Sequence, residues 1–127
     1  MNIQHLGASS QNYHNKNMNE LIEKVKAWGL EKGITGPNGK ATLLTQLAKT
    51  QEELTETRDA AVKCGIWPNP ISAKADLKDG IGDQVVTLIL AAELASTTLE
   101  ECLALAYAEI KGRTGKMVNG TFVKDTK

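Results

Sequence analysis

Aromatic residues make up only 4% of the chain: two Trp, two Tyr and one Phe. A core poor in rings must be built from Leu, Ile, Val and Ala, which favours helices over a β-sandwich. An excess of one charge is also missing. Lys plus Arg and Asp plus Glu each number 15, so the formal net charge is zero. The general basic balance of a nucleic-acid-binding protein is therefore absent, although a local basic patch is not excluded. No apolar run reaches the ~18–20 residues of a membrane span. The first residues, "MNIQHLGASSQNYHNKN", lack the apolar core of a signal peptide. The expectation is a soluble, cytoplasmic protein with no nucleic-acid or membrane partner. The two cysteines, Cys64 and Cys102, are far apart without metal-ligand spacing, and read as reduced, mostly buried thiols. A length of 127 residues suits one domain with one core.

What is present is a series of helical patterns. Residues 1–16 are rich in Asn, Gln and Ser and are expected to form a flexible arm; His5 and His14 lie in it and are weak evidence for a metal site. A helical domain over 17–127 follows. The first helix is expected in "NMNELIEKVKAWGLEKGI", capped by Asn17 or Asn19, with Leu21, Val25 and Trp28 or Leu30 on its apolar side. "GITGPNGK" breaks it. The second helix runs through "ATLLTQLAKTQEELTETRDAAVK". Leu43, Leu44, Leu47, Leu54, Ala61 and Val62 gather within about 100° on its wheel, which makes them the expected core stripe. Pro68 and Pro70 cannot continue that helix, and Gly65 can close it.

The third helix is expected from near Ser72 to about Ser96. From Val85 to Ala95 it is apolar nearly all round apart from Thr87 and Glu93, as in a central helix or a subunit interface. In the fourth, "TTLEECLALAYAEIK", Thr98 and Glu101 have capping-box spacing. "GRTGKMVNGTFVKDTK" reads as a Gly-rich basic tail, with at most a short extended piece at 121–123. The fold class is all-α, arranged like a four-helix bundle.

Carboxylates give the middle of the chain its chemistry. Glu52, Glu53 and Glu56 fan over about 100° of one helix. Asp79 and Asp83 are four residues apart on the next, with Asp76 one turn earlier. Carboxylates on two adjacent helices can surround a hard cation such as Mg²⁺. The competing reading is a solvated face, because the glutamates lie roughly opposite the Leu47/Leu54 stripe. Asp83 fits that reading less well, since it shares a face with Val86 and Leu90. Gly80 and Gly82 are liabilities in a helix, and are expected to clear space beside the carboxylates for metal water, backbone or phosphate.

"EELTE" followed by "KDGIGDQVVTLI" and closed by "AYAEIKGRTGKMVNGTFVK" resembles the MazG-like, all-α nucleoside triphosphate pyrophosphohydrolases, over roughly residues 40–124. Their pattern is Glu-Glu-x-x-Glu on one helix and Glu-x-x-Asp on the next. The resemblance implies Mg²⁺-dependent hydrolysis, with Mn²⁺ as a substitute, of a nucleoside triphosphate to monophosphate and pyrophosphate. It matches Glu52, Glu53 and Glu56 to the first cluster and Asp83 to the second. Gly80 stands where the pattern has glutamate, and Asp79 is the nearby carboxylate that can substitute. The implied metal ligands are Glu52, Glu53, Glu56, Asp79 and Asp83, with Glu53 or Glu56 as general base. Lys111, Arg113, Lys116 and Asn119 would hold phosphate, with Lys124 as a further cation. In such families the tail often completes a neighbouring subunit's site, so a homodimer or homotetramer is expected. Trp67, and less so Trp28, is a candidate to stack on a base, against the plainer role of capping the core. The alternative is a catalytically silent helical bundle that binds nucleotide or a protein partner.

Overall fold

The computed structural model describes residues 17–66 and 71–126. Among these described residues, four helices and a β-hairpin follow one another: α1 (Met18–Glu31), α2 (Leu43–Ile66), α3 (Ile71–Leu94), α4 (Leu99–Ile110), β1 (Gly115–Val118) and β2 (Thr121–Lys124). The expected arm, with His5 and His14, lies outside the described residues, as do Trp67, Pro68 and Pro70.

Local chemistry sets the helix ends. Asn17 is the cap of α1, its side chain accepting from the Asn19 N–H at 2.8 Å. Gly33, at φ 74°, provides the left-handed residue just after α1. Thr42 and Thr45 cap α2 reciprocally: each backbone N–H donates to the other's hydroxyl, at 2.9 and 3.1 Å. Thr98 caps α4 by accepting from the Glu101 N–H at 3.1 Å. The Glu101 carboxylate instead accepts from the Thr97 hydroxyl at 2.9 Å, so the expected box is only half made.

The basic tail is more ordered than the sequence implied. β1 and β2 pair antiparallel, with Val118 opposite Thr121. Asn119 (φ 50°) and Gly120 (φ 81°) turn the chain between them. Two successive positive φ values in an Asn-Gly pair are what a two-residue hairpin turn demands.

Helix α3 is the hub. Helices α1, α2 and α4 each pack on it, whereas α1 and α2 have no Cα atoms within 8 Å of each other. Among the described elements, the β-hairpin packs on no helix. The all-α expectation holds apart from the hairpin, but the helices diverge from α3 instead of enclosing a common core. Ile22, Ile89, Leu90, Ala91 and Ala92 are buried. Gly29 of α1 permits the close crossing, since a Cβ there would sit 2.5 Å from Leu90 Cδ2. Cys64 is partly buried and Cys102 exposed, both free, which corrects the expectation of two mostly buried thiols.

The face that α2 buries is not the leucine stripe. Gln46, Glu53, Thr57 and Ala60 are buried, with Thr50 partly so. Their four–three spacing forms the seam against α3. Leu44 is 79% exposed and Leu54 47%. The seam is closed by hydrogen bonds. The Gln46 side-chain amide donates to the Thr87 carbonyl at 3.3 Å. Thr50 donates to the Thr87 hydroxyl at 2.8 Å, which donates to the Gln84 carbonyl at 2.8 Å. The Gln84 amide donates to the Thr57 hydroxyl at 3.0 Å. These partners run in opposite directions along the two helices, so α2 and α3 form an antiparallel hairpin. Small polar side chains let the axes approach closely, and satisfied polar groups avoid the desolvation penalty of burial.

Gly80 belongs to this seam. A Cβ on it would collide with Thr57 Oγ1 and stand 3.1 Å from Thr57 Cβ and 3.3 Å from Thr57 Cα. The glycine therefore seats α3 against α2, and it also lines the cleft beside Asp79 and Asp83. A Cβ at Gly82 meets nothing within 4 Å.

Candidate functional site

The seam divides the hairpin into two sides. Because α2 and α3 are antiparallel, residues on the same angular side of each seam fall on one side of the pair. On one side α2 supplies Lys49, Glu52, Glu56 and Asp59, and α3 supplies Asp76, Asp79 and Asp83. A cleft of about 310 Å³ lies there, lined by Glu56, Asp59, Asp76, Asp79, Asp83 and also Lys63. Of the sequence-predicted metal ligands, this cleft gathers Glu56, Asp79 and Asp83, whereas Glu52 and Glu53 do not line it. Asp59 and Lys63 escaped the sequence reading, although Asp59 falls three residues after Glu56, on the same helical side. Asp76 was visible on that side but not assigned a role.

The carboxylates differ in exposure. Asp76, Asp79 and Asp83 are exposed; Asp83 shares a cleft with Val86 and the buried Leu90, as its helical face implied. The buried member is Glu53, at 9% exposure. Burial pushes its carboxyl above the ordinary glutamate value, and the like charges of Glu56 and Asp83 push it further, with Lys49 opposing. Lys49 Nζ is 3.2 Å from Glu52 Oε1 and 3.7 Å from Glu53 Oε1. Its own pKa is raised, first by the Glu52 hydrogen bond.

A second cleft, of about 440 Å³, adjoins the first and shares Asp83 with it. Its walls are Trp28, Ile34, Val86 and Leu90, with Thr45, Gln46 and Glu53 at the polar edge. Trp28 reaches the acidic side, lining a cleft together with Asp83; Trp67, the other candidate to stack on a base, lies outside the described residues. The position of Trp28 follows from the α1–α3 crossing and was not legible from the α1 pattern alone.

The basic residues are elsewhere. Lys111 is the C-cap of α4. The Arg113 guanidinium pairs with Glu109 at 3.1 Å, in a separate cleft lined also by Thr114, Lys124 and Asp125. Lys116 lies in β1 opposite Val123, and Asn119 is in the turn. The hairpin that carries Lys116 and Asn119 touches neither α2 nor α3 of its own chain.

For a cation, the donor chemistry fits: oxygen ligands with an excess of negative charge around a buried glutamate suit Mg²⁺. Among the described residues, no three Asp, Glu, His or Cys side chains already stand close enough to hold a metal ion. No described helix is long and apolar enough to cross a membrane. No family model, curated protein or solved structure matches the chain.

Proposed function

We propose that this chain is a Mg²⁺-dependent nucleoside triphosphate pyrophosphohydrolase of the MazG-like type, acting in the groove formed by the two adjoining clefts. The observation that carries the reading is their contiguity: carboxylates of two antiparallel helices share Asp83 with an apolar cleft walled by Trp28. A nucleotide has the same two-part chemistry, a flat apolar base and a polyanion that needs a cation beside carboxylates.

Glu52, Glu53, Glu56, Asp79 and Asp83 would hold the Mg²⁺, which neutralises phosphate charge and stabilises the departing pyrophosphate. Mn²⁺ suits the same donors. Attack of water on the α-phosphorus forms the new P–O bond and breaks the α–β bridge. The carboxylate of Glu53 or Glu56 accepts the water's proton. Trp28 and Ile34 shelter the base from water. Lys111, Arg113, Lys116 and Asn119 would contact phosphate from a neighbouring copy's tail, because the β-hairpin packs on no helix of its own chain.

The alternative, a catalytically silent nucleotide- or protein-binding bundle, is favoured by one observation. The packing of Gly80 on Thr57 leaves no room there for the motif's glutamate. Pyrophosphate and monophosphate release from a panel of ribo- and deoxyribonucleoside triphosphates, with and without Mg²⁺ or Mn²⁺, separates the two. Metal-dependent release of pyrophosphate is expected. Nucleotide binding with no release from any triphosphate would support the silent bundle.

A further inference from the structure

We propose that the second cleft selects among nucleobases through the Gln46 side-chain amide. It would favour cytosine or adenine, which carry an exocyclic amino group, over uracil, thymine or hypoxanthine, which carry a carbonyl in its place. The inference rests on the reading of that cleft as the base site, and adds the group that inspects the base edge. Apolar walls such as Trp28, Val86 and Leu90 enclose any base alike, so discrimination has to come from polar groups.

Gln46 is only 7% exposed and lines the second cleft. Its side-chain nitrogen donates to the Thr87 carbonyl at 3.3 Å. A carbonyl only accepts, so the nitrogen must face Thr87 and the amide oxygen, Oε1, must point away from it. Among the described residues no group donates to Oε1. Yet every buried side-chain oxygen or nitrogen among them has a partner. Oε1 is therefore open to the space beside it, and the space that Gln46 borders is the cleft. The bond across the seam accounts for the nitrogen alone. It leaves a side chain more than nine-tenths buried, held in one orientation, with an acceptor that the fold does not use.

The other polar groups of the cleft set the sign of the preference. The Thr45 hydroxyl donates to the Thr42 carbonyl at 3.0 Å, and the Thr87 hydroxyl donates to the Gln84 carbonyl at 2.8 Å. Neither has a proton left for a ligand. Glu53 and Asp83 border the same cleft and bring further acceptors. Lys49 is paired with Glu52 and Glu53, at 3.2 and 3.7 Å. The polar edge is thus richer in acceptors than in donors, and a ligand that fits it must supply N–H groups. The amino group of cytosine or adenine donates to Oε1, and the ring nitrogen beside it can accept from the second Nε2–H of Gln46. A carbonyl in the amino position would set lone pairs against lone pairs and leave Oε1 desolvated without a partner, which is the costly case for a buried polar atom.

Nucleosides test this without phosphate or metal. Cytidine against uridine, and adenosine against inosine, are titrated into the full chain and followed by heteronuclear NMR of the Gln46 side-chain amide and the Trp28 indole. Cytidine and adenosine should bind about 10-fold or more tighter than their counterparts and should shift the Gln46 amide. In Gln46→Leu the preference should fall to near parity, while the Trp28 indole still shifts. A ratio of affinities within one protein does not depend on how stable that protein is. If Gln46→Leu does not fold, the wild-type preferences and the Gln46 shift decide. Equal affinities within both pairs, a preference for uridine and inosine, no binding of any of the four, or a preference retained in Gln46→Leu overturns the proposal. Failure here is separable from failure of the hydrolase reading. Triphosphate hydrolysis without base preference removes only the role of Gln46, whereas selective nucleoside binding without hydrolysis of any triphosphate removes only the hydrolase.

Discussion

One side of the α2–α3 hairpin carries Glu52, Glu56, Asp79 and Asp83; the other carries Leu47, Leu54, Ile81 and Leu88. The same two helices build both. Between the sides runs a seam of Gln46, Thr50, Thr57, Gln84 and Thr87 with Gly80 at its closest point. The seam holds the helices near enough for carboxylates of both to line one cleft, and it does so without using the leucines. The two sides are therefore distinct in kind: carboxylates of both helices line a cleft on one, and aliphatic side chains stand half-exposed on the other. Substitutions on either side should show this separation.

The largest expected effect belongs to the acidic side. Glu53→Gln and Glu56→Gln should lower pyrophosphate release by roughly 10²–10⁴-fold, the usual contribution of a general base. Circular dichroism and molecular mass should be unchanged. A loss of mass together with the loss of rate would mean that the two sides are not separable.

The seam itself comes next. Gly80→Ala should destabilise by about 1–3 kcal/mol through overpacking, because its Cβ meets the Thr57 backbone as well as the hydroxyl. Gly82→Ala should stabilise by roughly 0.5–1 kcal/mol, since the methyl enters open space and the helix gains propensity. Urea unfolding of the pair measures the difference. Equal and stabilising effects at both positions would show that the seam is looser than described.

A smaller effect concerns pH. Glu53 has its carboxyl pKa raised on folding, by burial first and by Glu56 and Asp83 after it. Its stabilising contribution is present in full below the ordinary value of 4.5 and is lost as pH rises through the raised value. The metal-free protein should therefore melt progressively lower across that interval, and Glu53→Gln should flatten the decline. A decline of equal depth in the variant would assign the titration to another group.

Least affected should be the fold in Lys116→Ala. Lys116 sits on an exposed strand that packs on no helix. The substitution should raise KM severalfold through loss of a charge-assisted phosphate contact, with an unaltered melting temperature. A normal KM would remove the tail from the substrate site.

Much of the local structure was legible in the sequence. Asn17 and Thr98 announce helix starts, and the spacing of Glu56, Asp79 and Asp83 anticipates a shared cleft, which Glu52 does not line. The buried face of α2 was not legible. Leu43, Leu47 and Leu54 are its strongest apolar signal, yet periodicity reports only that a stripe is to be covered and not whether the same chain covers it. Threonine and glutamine carry little signal of their own, because their burial depends on partners from the opposite helix. Gly80 was half legible for the same reason: it lines the acidic cleft, but the contact that requires it is Thr57, which is 23 residues away in the chain. The Asn-Gly pair at 119–120 did contain the hairpin, under a composition that suggested an irregular tail.

The central claim is that the acidic side holds a divalent cation in the folded chain. It is tested most directly by the melting temperature of wild type and Asp83→Asn during Mg²⁺ titration at constant ionic strength. Asp83 borders both clefts and is exposed, so its replacement disturbs little packing. Wild type should gain several degrees as Mg²⁺ approaches saturation, and Asp83→Asn should lose most of that gain while melting no lower than wild type without metal. An identical Mg²⁺ response in the two proteins would contradict the account.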